Sequence, residues 1–245
     1  MIKPKRHTHW LDFYPGGVPA GIIFDMQVAD ARELAVTLPK EKENLHAAAA
    51  EFALIGLVAY FEGFCKNHTA AILNICPQLA RELAERGRDI KLRSVDLLDH
   101  AHDLSTLFGC LIVETIDFGT AKTINSFYGD LLRITPLSKR EAVRFHALLE
   151  DRNLIVHHGN VFTPNYSRER FVRREIGRSM VFFDSLKVTP NDALAAAEFL
   201  HALSVKLRKG SRAALAAFLR KSHLRLAKAN REAADQLDAV LPDSD

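Results

Sequence analysis

The stretch Glu150-Asp151-Arg152-Asn153-Leu154-Ile155-Val156-His157-His158-Gly159-Asn160 sets an arginine, an asparagine and two histidines among residues that read as the buried side of a helix. Phe145, Leu148, Arg152 and Ile155 recur at spacings of three and four, so on an α-helix Arg152 falls within an apolar stripe. A guanidinium keeps its proton and is costly to desolvate, so such a position is retained to hold an anion, either a neighbouring carboxylate or a phosphate. Upstream, Ser138-Lys139-Arg140-Glu141 has the Ser-x-x-Glu form of a capping box that would launch this helix, and Gly159 or Asn160 would end it.

Working outward, the pattern is helical almost throughout, and it predicts an all-α fold with long central helices. A first helix is expected from about Gln27 to Thr37 and a much longer one from about Glu41 to Ile75, closed by Pro77. Within the second, Phe52 to Phe61 is apolar nearly all round and should be central in the core, with Glu62 a lone acid among aromatics. Shorter helices are expected from Gln78 to Gly87, from Leu104 to Thr115 and over Gly119 to Leu132, with a capped turn at Ser94 to Asp99. Thr189-Pro190-Asn191-Asp192 supplies a cap and a proline for a helix that Gly210 would stop, and Ser211 would start a last one reaching Val240. Residues 1–26 read as an irregular arm with a short strand at Gly21 to Phe24, residues 27–230 as the helical domain, and residues 231–245 as a helix end and tail. The Arg-rich segment from Val161 to Gly177 reads as a loop or small β-hairpin, with Ser179 to Phe183 strand-like.

Composition narrows the class. The chain has 245 residues, is 48% hydrophobic and carries a formal net charge of only +3, which supports a real core and does not announce a nucleic-acid binder. Cys65, Cys76 and Cys110 are widely spaced and read as core thiols in a reduced, cytoplasmic setting. No signal peptide and no uninterrupted apolar run of about 20 residues is expected to engage a membrane. His100 and His102 flank Ala101, a spacing that does not put two ligands on one helical face, so no metal site and no cofactor is expected.

The segment with Arg152, Asn153, Leu154-Ile155-Val156 and His157 resembles the signature of the HEPN superfamily, helical nucleotide-binding domains of which many are ribonucleases. That signature is an Arg, four to six residues of which the first is polar, then a His, near the end of a core helix; here four residues intervene. Ala59-Tyr60-Phe61-Glu62-Gly63-Phe64 is similar to the early core helix of the bacterial stand-alone members. The resemblance implies a HEPN-like bundle, a homodimer that brings two copies of the motif together, RNA as substrate, and a role in bacterial antiviral defence or a toxin-like stress response under an antitoxin or regulatory protein. Arg152, Asn153 and His157 are then the catalytic candidates.

The chemistry is consistent on its own terms. RNA is cut when its 2′-hydroxyl attacks the adjacent phosphate, a step helped by proton transfer and by donors at the developing phosphorane. His157 can move the proton near neutral pH and Arg152 can grip the non-bridging oxygens without a metal. On an ideal helix Asn153 and His157 share a face, whereas Arg152 and His157 are separated by roughly 140°. His158 satisfies the motif at a spacing of five, and Glu62 or Asp151 could pair with Arg152. Arg168, Arg170, Arg173 and Arg174, with Tyr166 and Phe171 among them, are candidates to guide an RNA backbone. The acid-free run from Lys206 to Arg231 reads as a solvated basic face. The rival reading is a non-catalytic HEPN-like module that binds nucleotide, RNA or a partner protein.

Overall fold

The structure, a computed structural model, describes residues 9–36, 43–88, 90, 92, 94–99, 104–173 and 185–241, with the side chains of 43, 44, 94, 96, 97, 105 and 169–173 outside the description. Two 3-10 turns, Trp10–Phe13 and Pro15–Gly17, precede α1 (Ala20–Val36) and α2 (Glu43–Ile75). There follow α3 (Gln78–Glu85), α4 (Ser94–Asp99), α5 (Leu104–Glu114), α6 (Ala121–Leu132), α7 (Lys139–His158), α8 (Pro164–Arg173), α9 (Pro190–Lys221) and α10 (Lys228–Asp235). The all-α expectation holds: among the described residues there is no strand, only an isolated antiparallel bridge between Val161 and Ser185.

Local chemistry accounts for the helix ends. Thr120 Oγ1 accepts from Thr123 N–H to cap α6, and Arg133, at φ 58°, closes it in the left-handed conformation. At α9, Thr189 Oγ1 accepts from Asp192 N–H while the Asp192 carboxylate accepts from Thr189 N–H, with Pro190 in the first turn, as its sequence predicts. α7 starts directly after Ser138 and stops where Gly159 and Asn160 turn left-handed, at φ 56° and 69°. Asn160 N–H there reaches back to Leu154 O at 3.4 Å.

Four expectations need correction. Gly21 to Phe24 is helix, not strand, and α1 begins at Ala20 rather than near Gln27. The aromatic core decides this, for Phe24 is fully buried with its ring 5.8 Å from Phe61 and 5.3 Å from Phe64. The segment after α7 is not a hairpin but α8, whose start is Thr163-Pro164: Thr163 Oγ1 accepts from Tyr166 N–H and proline occupies the first helical position. The strand-like Ser179 to Phe183 lies outside the described residues. Gly210 does not stop its helix, because Leu207, Arg208, Ser211 and Leu215 on either side are all buried, and that burial outweighs the roughly 1 kcal/mol that glycine costs inside a helix. α9 ends instead past Lys221, where His223 is left-handed and Leu224 N–H bonds to Leu219 O, so the expected single helix from Ser211 to Val240 is interrupted before α10. Finally, Phe52 and Tyr60 are exposed, and the most deeply buried part of α2 is 68–75.

The chain divides into two compact units. The first comprises Met1–Met26, Phe61–Ser138 and His201–Asp245. Its interior carries polar hubs as well as aromatics. Asn74 accepts from Gly109 N–H and donates to Phe13 O and Thr106 O, and a side chain at Gly109 would run into the backbone of Ala70. Thr69 Oγ1 donates to Cys65 O at 2.7 Å and accepts from Tyr128 Oη at 2.9 Å. Arg208, 1% exposed, pairs with Asp25 and donates to Ala239 O; a Cβ on Gly21 would overlap its guanidinium. The second unit comprises Gln27–Tyr60 and Lys139–Leu200, with Leu54, Leu57, Phe145, Leu149, Ala197 and Leu200 buried in it.

The window Leu45–Ile75 of α2 is long and apolar enough to cross a membrane by length and composition, with half of it buried inside the protein, a test that core helices also pass. The expectation that no apolar stretch of about 20 residues exists does not hold for this window, whose only Asp, Glu, Lys or Arg residues are Glu51, Glu62 and Lys66.

Candidate functional site

α7 carries the candidate motif in its last two turns. Phe145, Leu149 and Leu154 are buried and anchor the helix, which leaves Asn153, Val156, His157 and His158 exposed and Arg152 half-buried. Arg152 Nη1 donates to Asn153 Oδ1 at 2.9 Å, so the arginine and the asparagine form one polar group on the helix surface. His157 stands one turn further along the side that bears Asn153. Neither His157 nor His158 has a hydrogen-bond partner among the described residues, so both imidazoles face solvent.

The neighbours of the motif are tied down. Asp151, one of the carboxylates considered for Arg152, accepts from Tyr166 Oη at 2.6 Å, which fastens α8 to α7. Asn160 Nδ2 donates to Glu51 Oε1 at 2.7 Å, and Asn160 O accepts from Leu186 N–H at 2.8 Å. These bonds fix the chain immediately beyond His158. Glu62, the other carboxylate considered, is half-buried on the part of α2 that belongs to the first unit, beside Gly119. Among the basic candidates, Arg168 is exposed and donates to Asn165 Oδ1 at 3.0 Å. Arg170 and Arg173 lie on α8 without described side chains, while Arg174, like His100 and His102, falls outside the described residues.

The basic C-terminal run is exposed as its composition suggests, except that one of its nine basic residues, Arg208, is buried. Arg208 is buried on Asp25, and Arg212 is bound by Asp238 and Asp235, whose carboxylates raise its proton affinity. The acids missing from the run are supplied from outside it. Cys65 and Cys76 are buried and Cys110 half-buried, all free thiols; burial pushes Cys76 up to about 11 and Cys65 higher still, which fits the core role expected of them.

A cavity of about 400 Å³ that no sequence pattern signals lies in the second unit, bordered by α7, α8, the loop at 186–188 and the start of α9. Arg144 and Ser167, two of its polar residues, carry no signal in sequence, one being a lone arginine on an exposed turn and the other a serine in a polar run. Tyr166 stood out only as an aromatic just ahead of the arginines. Among the described residues no cluster of three or more potential metal ligands occurs. Compared with family models, curated proteins and solved structures, the chain matches none.

Proposed function

We propose that this protein is a metal-independent endoribonuclease of the HEPN kind, acting in the cytoplasm as a homodimer in bacterial defence or a toxin-like stress response. The observation that carries the reading is the Arg152–Asn153 pair with an exposed His157 one helical turn away. The bond from Arg152 to Asn153 orients the planar guanidinium. A phosphate docked there would receive hydrogen bonds that strengthen as negative charge grows on its oxygens. His157 takes the proton of the 2′-hydroxyl, the freed oxygen attacks phosphorus, and the bond to the 5′-oxygen breaks. The leaving oxygen receives a proton from the imidazole of the second copy, giving a 2′,3′-cyclic phosphate and a 5′-hydroxyl.

The near-opposite headings of Arg152 and His157 on one helix are the reason a second copy is required. Val156, exposed beside Asn153 and His157, offers apolar surface for it. His158 is the competing imidazole, and Arg168 stands exposed for the RNA backbone.

The test is incubation of end-labelled single-stranded RNA with wild type, Arg152→Ala and His157→Ala in the presence of EDTA. Cyclic-phosphate ends from wild type alone, with equal helical circular dichroism in all three, support the reading. Equal cutting by all three, or by none, removes it. The cavity favours one other reading, a non-catalytic HEPN-like module that binds nucleotide, which predicts binding without turnover.

A further inference from the structure

The cavity in the second unit has the walls of a ligand site. Leu54, Leu148, Leu186 and Val188 make it mainly aliphatic, and Phe162 and Tyr166 add two rings stacked 5.3 Å apart with planes 16° from parallel.

The charges around the cavity are unequal in their availability. Of its two acids, Asp151 accepts from Tyr166 Oη, and Asp192 accepts from both Thr189 N–H and Thr189 Oγ1 in the α9 cap. Of its two bases, Lys187 is exposed, and Arg144 donates one N–H to Ala195 O while its guanidinium lies over the Phe199 ring at 4.3 Å. The remaining arginine donors are fixed in direction by that stacking. An anionic group on a ligand is therefore favoured.

We propose that this cavity binds a small aromatic carboxylate. The ring packs against Phe162, Tyr166 and the aliphatic wall, and the carboxylate takes Arg144 and Lys187. A volume of about 400 Å³ admits one or two fused rings and excludes a polymer. This site stands apart from RNA cleavage, and a failed cleavage assay leaves it untouched.

Titration calorimetry on the full chain with 2-naphthoate and neutral 2-naphthol tests it. We expect one-to-one saturable binding of the naphthoate below about 1 mM and weaker binding of naphthol. Arg144→Gln should weaken the carboxylate about tenfold and leave naphthol nearly unchanged. Ala195→Phe, which fills the cavity from an exposed helix position, should abolish binding at unchanged helical signal. No saturable binding, or equal binding by wild type and both variants, overturns the proposal. Should Ala195→Phe fail to fold, the contrast between naphthoate and naphthol in Arg144→Gln still decides it.

Discussion

Arg208 grips Asp25 through two parallel hydrogen bonds, Nη1 to Oδ2 at 3.0 Å and Nη2 to Oδ1 at 2.9 Å, in the interior of the first unit. The same arginine donates to Ala239 O and to Ser204 Oγ, and Asp25 also accepts from Leu241 N–H, so the pair fastens the C-terminal segment to α1 and α9. Removing one charge strands the other in the interior, at a cost of roughly 3–5 kcal/mol, whereas replacing both with apolar groups is often close to neutral. Asp25→Asn should lower unfolding stability in urea by that order, and Asp25→Leu combined with Arg208→Met should regain most of the loss. Additive losses in the double variant would show that the pair is not the stabilising unit.

Acid should weaken the fold through His68. Burial, with the nearby Arg208 charge adding to it, holds this imidazole down at about 3 against 6.5 in the unfolded chain. The native state therefore binds fewer protons than the unfolded state between those values. The contribution is complete above pH 6.5 and falls as pH drops toward 3, by up to about 1.4 kcal/mol per pH unit for one proton. His68→Phe, which keeps a ring stacked on Phe64, should flatten urea stability measured from pH 7 to 4.5 by one proton's slope. An unchanged slope would mean that the histidine is protonated in the fold.

Asn153 distinguishes a positioning residue from a bystander. Asn153→Ala removes the acceptor that orients Arg152, and RNA cutting should fall by roughly ten- to a hundredfold in kcat with helical content retained. Asn153→Asp keeps the acceptor but places a negative charge beside the incoming phosphate, so it should be worse than alanine in KM at low salt and approach it at high salt. Identical salt responses for the two variants would count against phosphate binding at this position.

Two neighbours on α8 should respond in opposite senses. Tyr166→Phe loses the 2.6 Å bond to Asp151 and should cost about 1–2 kcal/mol in thermal or urea unfolding. Ser167→Ala deletes a buried hydroxyl that bonds to nothing described, so it should leave stability unchanged or raise it by up to about 1 kcal/mol. A clear loss from Ser167→Ala would reveal a protein partner for that oxygen.

What could be read in the sequence was local. The end of α7 at Gly159 and Asn160 and the Thr189–Asp192 cap with Pro190 are chemistry within a few residues, and each matches the structure. Thr163-Pro164 was equally local, but the arginines after it drew attention to charge rather than to the cap that starts α8. Arg208 could not be read, since an acid-free run conceals a carboxylate 183 positions away. The residues Arg152, Asn153 and His157 were legible as a set because one helix bears them all, while the bond from Arg152 to Asn153 depends on rotamers that spacing does not specify. The cavity was invisible because separate stretches of chain assemble it.

The overlap that any Cβ at Gly21 would make with the Arg208 guanidinium has a historical corollary. A side chain at residue 21 obliges the Arg208 guanidinium to shift from where it pairs with Asp25. Among sequences descended from this one, replacement of the glycine is therefore easier once residue 208 has shortened than before it.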